Sequence, residues 1–216
     1  KITYPKRNFT FVYIDKYSGE GSSLGYSISK AKKHLQCPFI YHACDTIIGD
    51  QDSIPNNEEN WCLYYKSLDN SQYATLNIKD GNLKNIEDKG SLDFNCSYIG
   101  VSFIKDYNVF WNSLDTLDKS KTLSDTHIIN KMLESSTFKC SEVKFWCDIG
   151  NVDKLKESRQ LLKRSVNVLE KNKEAIFFFD NFVIKFFSDQ NIVKNRVARG
   201  IALGDLTPQI IDSSSN

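Results

Sequence analysis

The segment spanning residues 8–48 restricts the fold of this chain more than any other. Residues 8–15 (NFTFVYID) alternate aromatic and β-branched side chains, the pattern of a strand. Residues 17–23 carry glycines and serines and read as a loop. Ser22 or Ser23 can then cap a helix running to about His34, with Leu24, Ile28 and Ala31 on one face. Residues 37–48 form a continuous apolar run of strand length, the signature of a strand buried on both faces of a parallel sheet. Strand, glycine loop, helix and buried strand make a βαβ unit. The predicted class is α/β, a Rossmann-like mixed and mainly parallel sheet with helices on both faces. Ligands of such sheets gather at the carboxyl ends of the strands. Asp45 lies near that end, and a carboxylate inside an apolar run is costly unless a metal or hydrogen bonds compensate it.

Farther along, residues 61–66, 73–78, 82–87 and 98–104 read as meander-like strands, with Asp80-Gly81-Asn82 as a turn. Residues 106–117 and 124–134 read as helices, the second started by Ser124. A short strand over 143–147 leads into a turn at Asp148-Ile149-Gly150-Asn151. A helix over 152–164 follows, with Leu155, Leu161 and Leu162 facing inward. The composition then changes: three short strands (167–169, 175–179, 182–187), with turns at 171–173 and 180–181, precede a helix over 192–203. The shift near Ser165 divides the chain into a domain over 1–164 and a short β-rich appendage over 165–216.

Charge and cysteine usage exclude several classes. Lys and Arg total 28 against 27 Asp and Glu, so a formal charge of +1 speaks against a strongly basic nucleic-acid binder. No stretch approaches the roughly 20 apolar residues of a spanning helix, which predicts a soluble protein with no membrane partner; with no signal core, reduced thiols in the cytoplasm are expected. The opening Lys1-Ile2-Thr3-Tyr4-Pro5 has neither an initiating Met nor an apolar signal core, and reads as the inside of a longer chain. The six cysteines include no C-x-x-C pair. Cys44 and Cys147 sit in apolar runs, where a free thiol behaves as a small hydrophobe. A zinc set of His34, Cys37, His42 and Cys44 is the lesser reading.

Four stretches, in order over residues 8–160, carry a resemblance. They are Glu20-Gly21-Ser22-Ser23; Ala43-Cys44-Asp45-Thr46; Ile86-Glu87-Asp88-Lys89-Gly90 with Ser97-Tyr98-Ile99-Gly100; and Phe145-Trp146-Cys147-Asp148-Ile149-Gly150-Asn151. Together they resemble the nucleotidyltransferases that join a sugar 1-phosphate to a nucleoside triphosphate and release pyrophosphate. The resemblance implies the nucleotide-diphospho-sugar transferase fold and a role in precursor supply for bacterial surface polysaccharide. It implies Mg²⁺ as cofactor, held by Asp45 and Asp148, with Lys89 as the third catalytic residue. Gly21, Ser22, Asp88, Tyr98 and Gly100 would bind the nucleoside triphosphate and the phosphorylated sugar. The family's glycine-rich loop with its Arg and Pro-Lys would belong upstream of residue 1. Lys16 stands where thymidylyltransferases carry a base-reading Gln. Past residue 165, Phe182-Val183-Ile184-Lys185 and the helix bearing Lys194 and Arg199 resemble the opening of a kinase-like lobe, in which Lys185 would hold nucleotide phosphates.

The chemistry asks for the same residue types. Displacement at an α-phosphate brings two anions together, so charge must be neutralised first. Mg²⁺ takes one or two protein carboxylates and completes its shell with water and phosphate oxygens. A lysine meets a phosphate as a compact positive charge. Other readings remain at this point: cytidylyl transfer to phosphocholine or another alcohol phosphate, with Trp61, Tyr98 and Trp111 as candidate cage aromatics, or a non-catalytic nucleotide-sugar-binding module. A glycosyltransferase would want a D-x-D motif, which Asp45-Thr46-Ile47 does not supply, and Asp50-Gln51-Asp52 lies in a polar loop. The nucleotide base and any homo-oligomer are left open.

Overall fold

The computed structural model describes residues 6–49, 54–66, 71–87, 89, 96–118, 122–162, 168–171, 173–179 and 181–214. In chain order the elements are helix α1 (Leu24–Lys30), strands β1 (Phe39–His42), β2 (Thr46–Ile48), β3 (Asn60–Lys66), β4 (Thr75–Lys79), β5 (Asn82–Glu87) and β6 (Cys96–Ile104), then helices α2 (Tyr107–Thr116) and α3 (Asp125–Met132). Strands β7 (Phe138–Glu142) and β8 (Trp146–Asp148) and helix α4 (Val152–Leu162) follow, then β9 (Val168–Lys171), β10 (Glu174–Phe178), β11 (Val183–Phe187) and helix α5 (Gln190–Leu203). The chain divides into two units, Lys1–Ser158 and Arg159–Asn216.

In the first unit the main sheet runs β1-β6-β3-β7-β5-β4. Thr75 of β4 pairs back to Ser97 of β6, so β6, β3, β7, β5 and β4 close on themselves. The sheet is mixed but not mainly parallel: among the described residues only β3 and β7 run parallel, and its other pairings are antiparallel. Asn60 pins that parallel crossing. Its buried side chain accepts from the Lys105 and Asp106 amides at 2.8 and 3.0 Å and donates to the Asp106 carboxylate and the Thr137 carbonyl.

Two parts of the expected βαβ unit take another form. Residues 8–14 have no strand pairing, and Phe11 and Tyr13 are 78% and 84% exposed. A strand pattern needs a ladder partner, and none meets this segment among the described residues. It is tied instead to α1, where Asp15 accepts from Tyr26 at 2.7 Å and pairs with Lys30 at 2.7 Å. The apolar run 37–48 is not one buried strand. A turn at residues 43–45 splits it, and β1 alternates between inward Phe39 and 49%-exposed Ile40, as an edge strand of an antiparallel sheet does. Cys44 is accordingly exposed, and none of the six cysteines is in a disulfide. No zinc-type cluster occurs among the described residues.

Period-two alternation along β3 and β6 separates two cores. Cys62, Tyr98 and Ile104 face a cluster completed by Phe110, Trp111 and Leu114 of α2 and Ile128, Ile129 and Met132 of α3. Trp61, Leu63, Ile99, Val101 and Phe103 face the other way, with Val143, and are covered by Ile48, Tyr65 and Trp146. Among the described residues that second face is closed by strand and loop residues rather than by the expected helix layer. Asn130 of α3 bonds both backbone groups of Ile86 at 2.8 Å, completing the β5 edge with a side-chain amide.

Helix α1 starts where expected, with Ser23 rather than Ser22 as cap: its hydroxyl accepts from the Tyr26 amide at 3.0 Å. In α4 Ser158 is buried and Leu155 and Leu162 are half-buried, whereas Leu161 is 67% exposed, contrary to its expected inward place. In the second unit β9, β10 and β11 form an antiparallel sheet followed by α5. The turn positions 172 and 180, and residues 163–167 with the expected composition boundary, lie outside the described residues.

Candidate functional site

Asp45 and Asp148, remote in sequence, meet through a two-stranded antiparallel ladder. Strands β2 and β8 pair Thr46 with Asp148, Ile47 with Cys147 and Ile48 with Trp146. The ladder continues one step further, as the Ile149 amide donates to the Asp45 carbonyl at 2.8 Å. Asp45 occupies the exposed turn before β2, and half-buried Asp148 ends β8. Their carboxylates flank the space above Gly150: a Cβ on that glycine would lie 3.1 Å from Asp148 Oδ1 and 3.1 Å from Asp45 Oδ2. Both oxygens therefore face one small volume that glycine alone leaves open.

The turn carrying Asp45 rests on a bulge. Between the Cys62–Ser102 and Tyr64–Tyr98 pairs, β6 holds two more residues than β3. Gly100 sits in that excess at φ +72°, a conformation natural to glycine. A Cβ there would fall 2.8 Å from the Ala43 Cβ. The Ala43 amide donates to the Gly100 carbonyl at 2.8 Å, and Thr46 Oγ1 donates to the Ile99 carbonyl at 2.7 Å. β-bulges aim neighbouring side chains in this way at the rims of sheets.

Asp148 is itself held. The Gly150 amide donates to its Oδ1 at 2.8 Å, the Tyr73 hydroxyl donates to its Oδ2 at 2.9 Å, and Ser158 Oγ donates to its carbonyl at 3.2 Å. Tyr73 and Ser158 were not evident in the sequence. Tyr73 lies 75 positions from its partner, and no local pattern links them.

This architecture can be set beside known proteins. No protein-family model matches the chain, and no curated protein matches it. Solved structures do. A protein described as a glucose-1-phosphate thymidylyltransferase from Bacillus anthracis, in complex with a sucrose, superposes with a TM-score of 0.56 at 18% identity, over 71% of this chain and 65% of that one. A UDP-glucose pyrophosphorylase complexed with UDP-glucose gives 0.55 at 14%, over 68% and 64%. The inositol-1-phosphate CTP transferase of T. maritima gives 0.56 at 13%, over 66% and 62%. The fold is that of the sugar-phosphate nucleotidyltransferases. The chain spans less than two thirds of the length of each of these structures.

Within this nucleotidyltransferase fold the remaining expected site residues lie on other elements. Gly21 lies at φ +76° in the turn before α1, its Cα side facing the Lys16 ammonium. Ser22 closes that turn, donating from its hydroxyl to the Gly19 carbonyl at 2.7 Å. Lys89 is exposed just beyond β5, while its neighbours Asp88 and Gly90 lie outside the described residues, as does Asp50-Gln51-Asp52. Lys185 is exposed on β11, in the second unit. Tyr98 is placed differently from expectation. It is 7% exposed, in the helix-covered core, with its hydroxyl 2.9 Å from Ser102 Oγ. Burial, with Asp125 nearby, holds its phenol well above the usual range. Trp61 and Trp111, at 0% and 2% exposure, are likewise core residues, so none of the three aromatics expected to cage an acceptor has an open face. Among the described residues Tyr73 bonds the Asp148 carboxylate and packs on Trp146, which in turn packs on Tyr65.

Proposed function

We propose that this chain is a Mg²⁺-dependent nucleotidyltransferase that transfers a nucleotidyl group from a nucleoside triphosphate to a sugar 1-phosphate. The observation that carries the reading is the convergence of the Asp45 and Asp148 carboxylates over Gly150, within a fold shared with sugar-phosphate nucleotidyltransferases. Two carboxylates around a cradle that a single Cβ would fill are a hard-oxygen donor set, and such a set suits Mg²⁺, which keeps its remaining positions for water and phosphate. When bound, Mg²⁺ would neutralise phosphate charge and polarise the α-phosphate.

The chain's own residues have separate tasks in this reading. Asp45 and Asp148 hold the cation. The turn at Gly21 and Ser22 offers backbone close to a nucleotide, and exposed Lys89 offers a positive charge to the acceptor phosphate. An oxygen of the acceptor phosphate bonds to the α-phosphorus. The bond from that phosphorus to the bridging oxygen of the β-phosphate breaks, and pyrophosphate departs with the electron pair. The product would be a nucleotide sugar, in keeping with precursor supply for bacterial surface polysaccharide. An alcohol phosphate is the second acceptor class, favoured by the likeness to an inositol-1-phosphate CTP transferase.

The test is pyrophosphate release by this chain with a panel of nucleoside triphosphates against sugar 1-phosphates, inositol 1-phosphate and phosphocholine, with Mg²⁺. Release with one pair, abolished in Asp45→Asn, is the expected result and names both substrates. Release that persists in Asp45→Asn would remove Asp45 from the site. Folded protein silent across the panel would leave a nucleotide-sugar-binding module as the surviving reading.

A further inference from the structure

We infer that Tyr73 is a positioning residue for the cation site, acting through Asp148; the inference rests on the metal-binding role proposed above. An aspartate's terminal torsion is broad, so a lone carboxylate at a strand end has no fixed plane. Asp148 has donors on both oxygens, the Gly150 amide on Oδ1 at 2.8 Å and the Tyr73 hydroxyl on Oδ2 at 2.9 Å. A carboxylate offers about four lone-pair sites, so each oxygen keeps capacity for a cation after accepting one hydrogen bond. The two donors hold opposite ends of the group and leave Oδ1 turned toward the space it shares with Asp45 Oδ2.

The hydroxyl is delivered by a scaffold and not by a loose side chain. The Tyr73 ring stands edge-on against Trp146, with centroids 4.8 Å apart and planes at 72°. Trp146 packs in turn on Tyr65 of β3 at 5.8 Å. Among the described residues its indole N–H meets no hydrogen-bond partner, so ring packing sets its position. Trp146 lies two residues before Asp148 on β8, and side chains two apart on a strand share a face. One short strand thus bears both the ring that braces Tyr73 and the carboxylate that Tyr73 orients. Partners of this kind, hydrogen-bonded to metal-ligating groups, typically change metal affinity 10–100-fold when removed.

The test titrates Mn²⁺, as a spectroscopic stand-in for Mg²⁺, into the full chain as wild type, Tyr73→Phe and Asp148→Asn, following the free-ion resonance. Thermal unfolding of each metal-free protein accompanies it. Tyr73→Phe keeps the ring on Trp146 and deletes only the donor. Expected are an affinity about tenfold weaker than wild type in Tyr73→Phe, a metal-free melting temperature unchanged by that substitution, and loss of binding in Asp148→Asn. Equal affinity of wild type and Tyr73→Phe overturns the inference while the metal site stands. A weaker affinity that comes with a lowered metal-free melting temperature also overturns it, by making the role structural. Wild-type protein that binds no Mn²⁺ overturns the metal site itself, and this inference falls with it.

Discussion

Replacing Gly150 with alanine probes the space between the two carboxylates with a single methyl group. That methyl would sit 3.1 Å from Asp148 Oδ1, 3.1 Å from Asp45 Oδ2 and 3.7 Å from Asp45 Cβ, whereas ordinary contact begins at 3.4 Å. Each oxygen must therefore retreat by a few tenths of an ångström. Metal–ligand distances hold to within about ±0.2 Å, so shifting both ligands exceeds what a small, rigidly octahedral ion accepts. The expected loss is about 10–100-fold in Mn²⁺ or Mg²⁺ affinity, or about 1.4–2.7 kcal/mol. Gly150 lies outside the left-handed backbone region, so alanine adds no conformational strain. Its restriction of the unfolded chain is worth about 0.4–1 kcal/mol in favour of folding. The signature is thus a melting temperature that holds or rises while metal affinity falls, read by calorimetric titration and by thermal unfolding without metal. Unchanged affinity in a folded Gly150→Ala protein would refute the placement of the cation between these carboxylates.

Other substitutions test the packing of the first unit. Gly100→Ala forces a side chain into φ +72° and against the Ala43 Cβ at 2.8 Å; the left-handed backbone alone costs about 1–2 kcal/mol, and urea unfolding should show at least that loss, with Ala43→Gly relieving only the steric part. Asp125 is 8% exposed, and burial raises its carboxyl above the ordinary 3.8, opposed chiefly by a hydrogen bond from Tyr98. The folded state therefore binds this proton more tightly than the unfolded chain, and stability falls as pH rises from 3.8 through the raised folded value. Asp125→Asn should then melt higher than wild type at neutral pH, with the difference vanishing below pH 3.8; a difference of the opposite sign at neutral pH would refute this.

The two carboxylates of the candidate site are marked locally in the sequence. Asp45 and Asp148 stand beside apolar strand residues in turns of recognisable chemistry, but the burial cost expected at Asp45 does not arise, because the structure places it in an exposed turn. Helices α1, α2, α3 and α5 could be read from capping and periodicity, which depend on neighbours a few positions away. Pairing direction could not. The apolar run 37–48 suits a buried parallel strand and a split pair of edge strands equally well, and the turn at Ala43 is decided by Gly100, 57 positions along the chain. Burial of an aromatic is equally non-local: Tyr98 and Tyr73 are the same residue type, yet the alternation of β6 sends one into the core, while packing on Trp146 brings the other to Asp148. The sequence by itself determined which residues could do the chemistry, because polarity and turn propensity are properties of short segments. Only the tertiary structure decided which of them share one volume, because the β2–β8 register, the β6 bulge and the Tyr73 hydroxyl are contacts between segments tens of residues apart.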